Sequence, residues 1–139
     1  MKIGLVSCAK LKRKVPCEAK KLYISTLFNK ALEYSQKNYD RTYILSAKYV
    51  LLNPNDIVKP YELTLKEQSD SYIKLWSYNI IKQLEKNHNI KEDVFYFHCG
   101  TYYRKYLKLK LIHKNPLLGL RIGKQLKFYK DYEKSNCIA

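Results

Sequence analysis

The sequence predicts an α/β fold, a three-layer domain with a mostly parallel central sheet and helices on both faces. Short apolar runs rich in strand-forming residues alternate with longer segments whose apolar residues recur every three to four positions. Because this alternation occurs three times, the strands are expected to be parallel and joined by right-handed crossovers. At 139 residues the chain has the usual length of one domain, so a single domain over residues 1–139 is expected.

The first half of the chain supplies two strands and one helix. Lys2–Ser7 is short and apolar and predicts the first strand, and residues 8–16 follow as a basic loop. Residues 18–36 carry apolar side chains near a 3.6-residue period, which predicts an amphipathic helix packed on the sheet. A turn at residues 40–41 leads into the second strand, which ends at Ser46.

A second helix is predicted over residues 66–87. Thr64 followed by Glu67 has the form of a capping box at its start. The apolar side chains of this segment form one stripe, which we expect to be buried: Tyr72, Ile73, Trp76, Ile80 and Leu84.

The remaining segments complete the alternation. Residues 93–98 predict the third strand, and residues 101–110 a short basic helix. Residues 116–120 indicate a last short strand or a turn, and residues 123–134 a final helix. The tail at residues 135–139 is expected to fray.

The charge points to a polyanionic partner. Lys and Arg total 27 against 12 acidic residues, a formal net charge of +15. A field of this sign attracts nucleic acid or a nucleotide, which is the partner we expect. The alternative is biased codon usage, which the many Asn, Ile and Tyr residues suggest and which raises lysine content without a functional cause.

The sequence favours a soluble cytoplasmic protein that does not enter a membrane. It has no run of eighteen apolar residues, and its apolar start is too short for a signal peptide. The four cysteines, at positions 8, 17, 99 and 137, form no CxxC pair and are expected to be free thiols. No Walker A, GxGxxG, HExxH or GxSxG motif occurs, so we expect no cofactor and no metal. The oligomeric state is not set by the sequence.

Polar residues follow each predicted strand at its carboxyl end, and these ends share one edge of a parallel sheet. The three groups are Ser7, Cys8 and Lys10; Ser46, Lys48 and Tyr49; and His98, Cys99 and Gly100. Small residues let a ligand approach backbone N–H groups, and a nearby lysine supplies a charge for phosphate or carboxylate. The pattern predicts an anionic-ligand site at this edge, although a plain surface loop explains each group taken alone.

Three further features carry possible chemistry. Glu62 follows Pro60 and is the better of two loop acids for proton transfer, since Asp56 suits a turn. Cys8 lies near two lysines and is a possible nucleophile, or else an inert buried thiol. The segment TYYRKY, residues 101–106, mixes aromatic and basic side chains that can stack bases and grip phosphate, or simply forms an amphipathic helix.

Four ordered motifs resemble a family of small bacterial and phage proteins of unknown function. They are SCAKLKRKVPCEAKKLYISTLF, YILSAKYVLLNPNDIVKPYELTL, CGTYYRKYL and PLLGLRIGKQL, and together they cover nearly the whole chain. The second motif also looks like a stretch of the YaaA peroxide-stress proteins, a more distant family associated with DNA binding and protection from oxidative damage. Val50 stands where the family has Gly, and Cys99 where it has Ala. The loss of this glycine is expected either to narrow the site or to remove a turn that needs positive φ.

The residues and the resemblance together select the candidate site residues. The catalytic candidates are Glu62, Lys48 and Cys8. The ligand-binding candidates are Ser7, Lys10, Lys12, Ser46, Tyr49, Tyr61, Gly100, Tyr103, Arg104 and Gly119.

We expect a protein that binds a nucleotide or a nucleic-acid base at the strand ends, either with or without processing it. The sequence leaves open whether the protein is an enzyme. Two alternatives stand beside this reading: a non-catalytic basic DNA-binding protein of YaaA-like type, and a phage-encoded protein-interaction module.

Overall fold

The computed structural model describes residues 1–137, with side chains described through residue 135. The elements are β1 (Lys2–Ser7), β2 (Cys17–Glu18), α1 (Ala19–Leu22), α2 (Thr26–Asn38), β3 (Arg41–Ser46), β4 (Val50–Leu52), β5 (Ile57–Val58), α3 (Asp70–Glu85), β6 (Val94–His98), α4 (Thr101–Arg104), β7 (His113–Lys114) and α5 (Ile122–Cys137). Two 3₁₀ turns lie at Leu65–Glu67 and Leu107–Leu109.

The main sheet has five strands in the order β4-β3-β1-β6-β7. β1 pairs in parallel with β3 on one side and with β6 on the other, and β6 pairs in parallel with β7. Only β4 is antiparallel, because it returns directly from β3 as a hairpin. β2 and β5 form a separate antiparallel pair. The prediction of an α/β protein with a mostly parallel sheet is therefore confirmed.

β1 lies in the middle of the core, and its sequence suits that position. Ile3 and Leu5 are completely buried, and Val6 is almost so. Gly4 lies where α2 comes closest, since a Cβ built there would be 2.6 Å from the Cδ2 of Tyr39. A larger residue would push the helix off the strand, so this glycine sets the distance between them.

The helix predicted over residues 18–36 is broken into three elements. β2 pairs with β5, α1 lasts one turn, and the backbone at Tyr23 is extended. The chain then starts a new helix at Ser25, whose side chain accepts a hydrogen bond from the N–H of Phe28. The capping serine explains the restart, because it satisfies an N–H that the helix leaves open.

The capping box predicted for the next helix is wrong, and the helix starts later. Thr64 precedes a 3₁₀ turn and makes no cap hydrogen bond. Ser69 caps α3 instead, by accepting from the N–H of Tyr72 at 3.1 Å. The predicted stripe of α3 is confirmed at four positions, Ile73, Trp76, Ile80 and Leu84, and Tyr72 is half-buried.

The segment after β3 is a hairpin and not the long loop that its polar residues indicate. The turn at residues 47–49 reverses the chain into β4. Val50 has a φ of 71°, so the position where the resembling family carries Gly is left-handed. A β-branched residue is strained in this conformation.

The last third of the chain also differs from the prediction. The helix over residues 101–110 is reduced to α4 and a 3₁₀ turn, and a short strand, β7, precedes residues 116–120, where the turn predicted as one of two alternatives is confirmed. Residues 116–119 form a turn, where Gly119 has a φ of 78°. Of the tail predicted to fray, residues 135–137 belong to α5 and residues 138–139 lie outside the described part.

Candidate functional site

A crevice opens at the carboxyl ends of β1 and β6. The chain leaves β1 toward β3 on one side and later returns to β6 on the other, so the strand order reverses between β1 and β6. Open α/β sheets bind ligands in the crevice formed at such a point. The cavity measures about 310 Å³, within the range of small-ligand pockets.

The crevice is lined by uncharged side chains. The polar or sulfur-containing residues that line it are Ser7, Cys8, Ser25, His98, Cys99, Gln125 and Tyr129. The apolar wall comes mainly from α2 and from the turn before α5, through residues such as Phe28, Ala31 and Leu117. Such a lining can enclose a flat ring and offer hydrogen bonds to its edge.

Two long helices begin at this crevice. Ser25 caps α2, and Ile122 is the first residue of α5; both line the cavity. The first N–H groups of a helix favour negative charge. Ser25 is among the residues to which the family resemblance points, whereas Gln125 was not predicted, although it falls within the last of the resembling motifs.

Ser7 and Cys8 end β1 and follow it, as predicted, and both line the crevice. The Cys8 Sγ lies 3.0 Å from the hydroxyl of Tyr103. Tyr103 is itself held edge-on against Trp76, with ring centroids 5.6 Å apart. Burial raises the pKa of Tyr103, with the nearby Cys8 as the next cause, so the phenol stays protonated beside the sulfur.

A second cavity, of about 500 Å³, lies beside the loop after β1. Lys10, Lys12, Tyr61, Glu62 and Gln68 are among its lining residues. The structure thus brings four sequence-predicted residues together here: two lysines, a tyrosine and a carboxylate. Because Lys12 interacts electrostatically with Cys8, this cavity is close to the crevice.

Buried hydroxyls form the floor of the second cavity. The Tyr61 hydroxyl lies 2.7 Å from that of Tyr23 and accepts a hydrogen bond from the Ser46 Oγ at 2.9 Å. Burial raises the pKa of Tyr61 strongly and that of Tyr23 to about 12. Ser46 is completely buried and also accepts from the N–H of Tyr49. Ser46 therefore positions the Tyr61 hydroxyl and lines neither of the two cavities.

Lys12 is held over the ring of Tyr61. Its Nζ lies 4.4 Å from the ring centroid and donates to the carbonyl of Lys10 at 2.9 Å. Burial lowers the pKa of Lys12, while nearby Cys8 and Glu62 act in the opposite direction. A lysine fixed in this way presents its charge at a defined point.

Lys48 lies apart from both groups of lining residues. It is exposed in the hairpin turn, with its Nζ 5.4 Å from the ring centroid of Tyr49. Tyr49 donates its hydroxyl hydrogen to the carbonyl of Lys59 and meets the Tyr61 ring edge-on. Tyr49 thus supports Tyr61, whereas Lys48 faces solvent.

Of the remaining ligand candidates, Gly100 lines the crevice, whereas Arg104 and Gly119 support the local backbone structure. Gly100 lines the crevice and precedes α4, and a Cβ built on it meets no atom within 4 Å. The Arg104 guanidinium donates to the Cys99 carbonyl at 2.7 Å, which ties α4 to the end of β6. Gly119 serves the turn described above.

Two of the three tyrosine rings in residues 101–106 are engaged in contacts within the protein, which weakens the base-stacking interpretation of this segment. Tyr103 contacts Cys8, and the Tyr106 hydroxyl donates to Asp70 while Lys74 and Lys105 lie over its ring. Tyr102 is the exposed ring of this segment, at 42%.

His98 forms a buried network that the sequence did not indicate. Its Nε2 lies 2.6 Å from the hydroxyl of Tyr39, and its Nδ1 lies 2.7 Å from that of Tyr129. A neutral imidazole satisfies both contacts, since one ring nitrogen donates and the other accepts. Burial lowers the pKa of His98 to about 4, so the ring at the crevice wall is uncharged near neutral pH.

Three cysteines of the described side chains, Cys8, Cys17 and Cys99, are free thiols. Burial raises the pKa of Cys99 to about 12. Within the described residues, no three His, Cys, Asp or Glu side chains converge as metal ligands. None of the helices in that part is long and apolar enough to cross a membrane.

Comparison with known proteins places the chain in a family. A family model described as a family of unknown function (DUF6884) matches residues 3–131, and the chain belongs to this family. No curated protein and no solved structure gave a significant match.

Proposed function

We propose that this protein binds a nucleotide at the carboxyl ends of its parallel strands, with the base in the crevice between β1 and β6. The observation that carries the proposal is the cavity at the point where the strand order reverses. In open α/β sheets this is the position at which ligands bind.

The crevice suits a base because it is narrow, uncharged and partly polar. Phe28, Ala31 and Leu117 supply apolar surface for the faces of a ring. Ser7 and Gln125 supply hydroxyl and amide groups for its edge. Gln125 uses its amide nitrogen on the carbonyl of Leu120, which leaves its side-chain oxygen to accept from a base.

The surroundings of the crevice suit a phosphate. The first N–H groups of α2 and α5 favour an anion. Lys10 is exposed one residue beyond Ala9, which lines the crevice, and Lys12 is fixed over Tyr61 in the neighbouring cavity. These lysines supply the point charges that phosphate groups need.

Cys8 is the residue to which we assign any processing of the bound nucleotide. Of the three catalytic candidates, Cys8 lines the crevice and Glu62 lines the second cavity. Lys48, exposed on the hairpin, is assigned no part in the chemistry.

Equilibrium dialysis against the four ribonucleoside monophosphates and triphosphates tests the binding proposal. Gly100 lines the crevice and a Cβ built on it meets no atom within 4 Å, so Gly100→Leu should fill part of the crevice and weaken binding by at least about tenfold. Lys10→Ala should weaken triphosphate binding by about tenfold or more, because it removes a charge-assisted contact.

Lys91→Ala is the matched control. Lys91 is exposed before β6, at the opposite edge of the sheet, and its loss changes the net charge by the same amount. Affinity should then stay close to that of the wild type. Millimolar nucleotide that fails to bind, or a Gly100→Leu variant that binds normally, would contradict the proposal.

A second candidate function is binding of DNA through the basic surface, as in the YaaA-like alternative. One observation favours it: residues 94–130 contain nine Lys or Arg residues and no Asp or Glu. Affinity for a DNA oligonucleotide should then fall by orders of magnitude between about 50 and 200 mM salt for six or more phosphate contacts. It should be unaffected by Gly100→Leu, which separates this function from the nucleotide site.

We also propose the three-layer arrangement predicted from the sequence, in which helices cover both faces of the sheet. Contacts of α2 with β1 and of α3 with β3 support this arrangement. Gly4 of β1 approaches Ser35 of α2, and α2 also contacts α5. The indole Nε1 of Trp76, on α3, donates to the carbonyl of Ser46 at 2.8 Å.

A further inference from the structure

A second surface, away from the crevice, has the form of a docking groove. It lies between α3 and the 3₁₀ turn at Leu107–Leu109, measures about 370 Å³, and is here called the α3 groove. Ile81 and Ile90 contribute aliphatic side chains to its lining. Tyr78 and Leu109, which also line it, are 57% and 69% exposed. Exposed apolar side chains beside a concave apolar surface mark an interaction site more often than scattered ones do.

The groove is long enough for a helix. Its lining on α3 runs from Lys74 to Glu85, a distance of about 16 Å along the axis, or three turns. Leu75, 61% exposed, lies one turn before Tyr78 on α3 and extends the apolar strip. An amphipathic helix binds such a groove by placing anchors at three- and four-residue intervals.

The rim of the groove is positive. Lys74, Lys82 and Lys110 line it, against the single carboxylate of Glu85. Glu85 already pairs with Lys82 at 3.6 Å. Within the described residues no carboxylate pairs with Lys110, and Lys74 shares Asp70 with another lysine. The unpaired positive charge is complementary to an acidic partner.

Nucleic acid fits this groove less well than a protein does. The faces of its two tyrosine rings carry ammonium groups: Lys82 lies 5.3 Å from the centroid of Tyr78, and Lys74 lies 5.5 Å from that of Tyr106. A base cannot stack where a lysine already covers the ring, and the other apolar residues of the lining, Ile81, Ile90 and Leu109, are aliphatic. A second copy of this chain is disfavoured as well, because its net charge of +15 would oppose the same positive rim.

We propose that the α3 groove binds an acidic amphipathic helix of a partner protein, with leucine or aromatic anchors in the groove and carboxylates on the lysine rim. This binding is independent of the nucleotide site. The groove is the surface that a protein-interaction module, one of the alternatives left open by the sequence, would use.

Fluorescence anisotropy with a panel of synthetic helical peptides tests the proposal. Each labelled peptide has about fourteen residues, glutamates on one face, and leucine, phenylalanine or tryptophan anchors on the other. Two control peptides keep the length: one scrambles the order so that the apolar stripe is lost, and one replaces glutamate by lysine. At least one acidic amphipathic peptide should bind saturably, and neither control should.

Variants of exposed groove residues locate the binding. Leu109→Ser should weaken peptide affinity by at least about tenfold without a change of charge, and Lys110→Glu should weaken it by a similar factor. The matched controls are Leu118→Ser, at a leucine 70% exposed in the turn before α5, and Lys59→Glu, at an exposed lysine outside the groove. Each control should bind within about twofold of the wild type.

Three results would overturn the proposal. The first is no saturable binding by any acidic amphipathic peptide, and the second is equal binding of the scrambled peptide. The third is loss of single-stranded DNA binding, and not of peptide binding, in Leu109→Ser, which would make the groove a nucleic-acid surface.

Discussion

Val50 has the most unusual backbone among the described residues. It is the one residue other than glycine with a positive φ, 71°, and it lies where the chain enters β4. A β-carbon in the left-handed region costs roughly 1–2 kcal/mol. The strain is local, since β4 still pairs with β3 in regular register.

We therefore expect Val50→Gly to be more stable than Val50→Ala by roughly 1–2 kcal/mol. Both variants lose the contacts of the two γ-methyl groups, so the comparison isolates the effect of the Cβ on the backbone. In an ordinary strand the order is reversed, because glycine costs entropy. Urea denaturation of the two variants measures the difference, and an alanine variant as stable as the glycine variant would show that Val50 is unstrained.

His98 gives the second prediction at this scale. Its pKa is lowered by burial to about 4, against about 6.5 in an unfolded chain. The unfolded state therefore takes up the proton first as the pH falls. The stability that the neutral ring contributes is fully present above pH 6.5 and is lost between there and pH 4, by about 3 kcal/mol in all.

The free energy of unfolding of the wild type and of His98→Gln, measured between pH 7.5 and 4, tests this. The variant has no imidazole at this position, so its stability should fall less steeply below pH 6.5. His88, whose pKa is also lowered by burial, is present in both proteins and cancels in the difference. Parallel curves for the two proteins would mean that His98 does not titrate differently on unfolding.

Among the elements, the contact between β1 and α2 has the least tolerance. A Cβ on Gly4 would lie 2.6 Å from the Cδ2 of Tyr39 and 3.1 Å from the Cβ of Ser35. The Tyr39 ring has little freedom to move, because it stacks on Tyr96 and contacts His98.

Gly4→Ala should accordingly lower the free energy of unfolding by about 1–3 kcal/mol through overpacking. Gly123→Ala is the control, since a Cβ there meets no atom within 4 Å and alanine favours a helix by up to about 1 kcal/mol. Urea denaturation compares both with the wild type. A Gly4→Ala variant of unchanged stability would mean that α2 can shift outward at little cost.

The elements also show which parts of the fold the sequence could predict. β1 was predicted because its apolar run is continuous, and the buried stripe of α3 because its apolar pattern is long and regular. The break at residues 23–25 and the start of α3 at Ser69 were missed. In both places a serine caps the start of the helix, but nearby residues of similar type can also serve as N-caps, so the sequence alone does not identify the starting residue. The hairpin after β3 was missed because a valine does not indicate a left-handed backbone, whereas a glycine at position 50 would have.

The candidate site was predicted unevenly for a related reason. Strand ends follow from the parallel order, so the positions of Ser7, Cys8 and Gly100 were accessible from the sequence. The burial of Ser46 and the exposure of Lys48 were not, because both depend on how the hairpin folds back. Residues from distant elements, such as Gln125, reach the crevice only through tertiary packing.

At the scale of the whole molecule, the two surfaces proposed to bind ligands belong to one strongly basic chain. The crevice is at the carboxyl ends of β1 and β6, and the α3 groove lies on a helix that contacts β4. The net charge of +15 attracts anions to both, so binding alone does not identify the surface used. Assigning a bound ligand to one of the two surfaces requires a probe that detects binding at that surface alone.

Cys8 is such a probe, because it lines the crevice and is only half-buried. Alkylation by N-ethylmaleimide, followed for each cysteine by mass spectrometry, measures its accessibility with and without the best-binding nucleotide. Cys17, half-buried on β2, serves as the internal control, and Cys99, half-buried in the crevice wall with its pKa raised by desolvation, should react slowly throughout. If the nucleotide occupies the crevice, it should slow alkylation of Cys8 with the concentration dependence of binding and leave Cys17 unchanged. A nucleotide that binds in dialysis yet leaves the Cys8 rate unaltered would contradict the central claim that the crevice is its site.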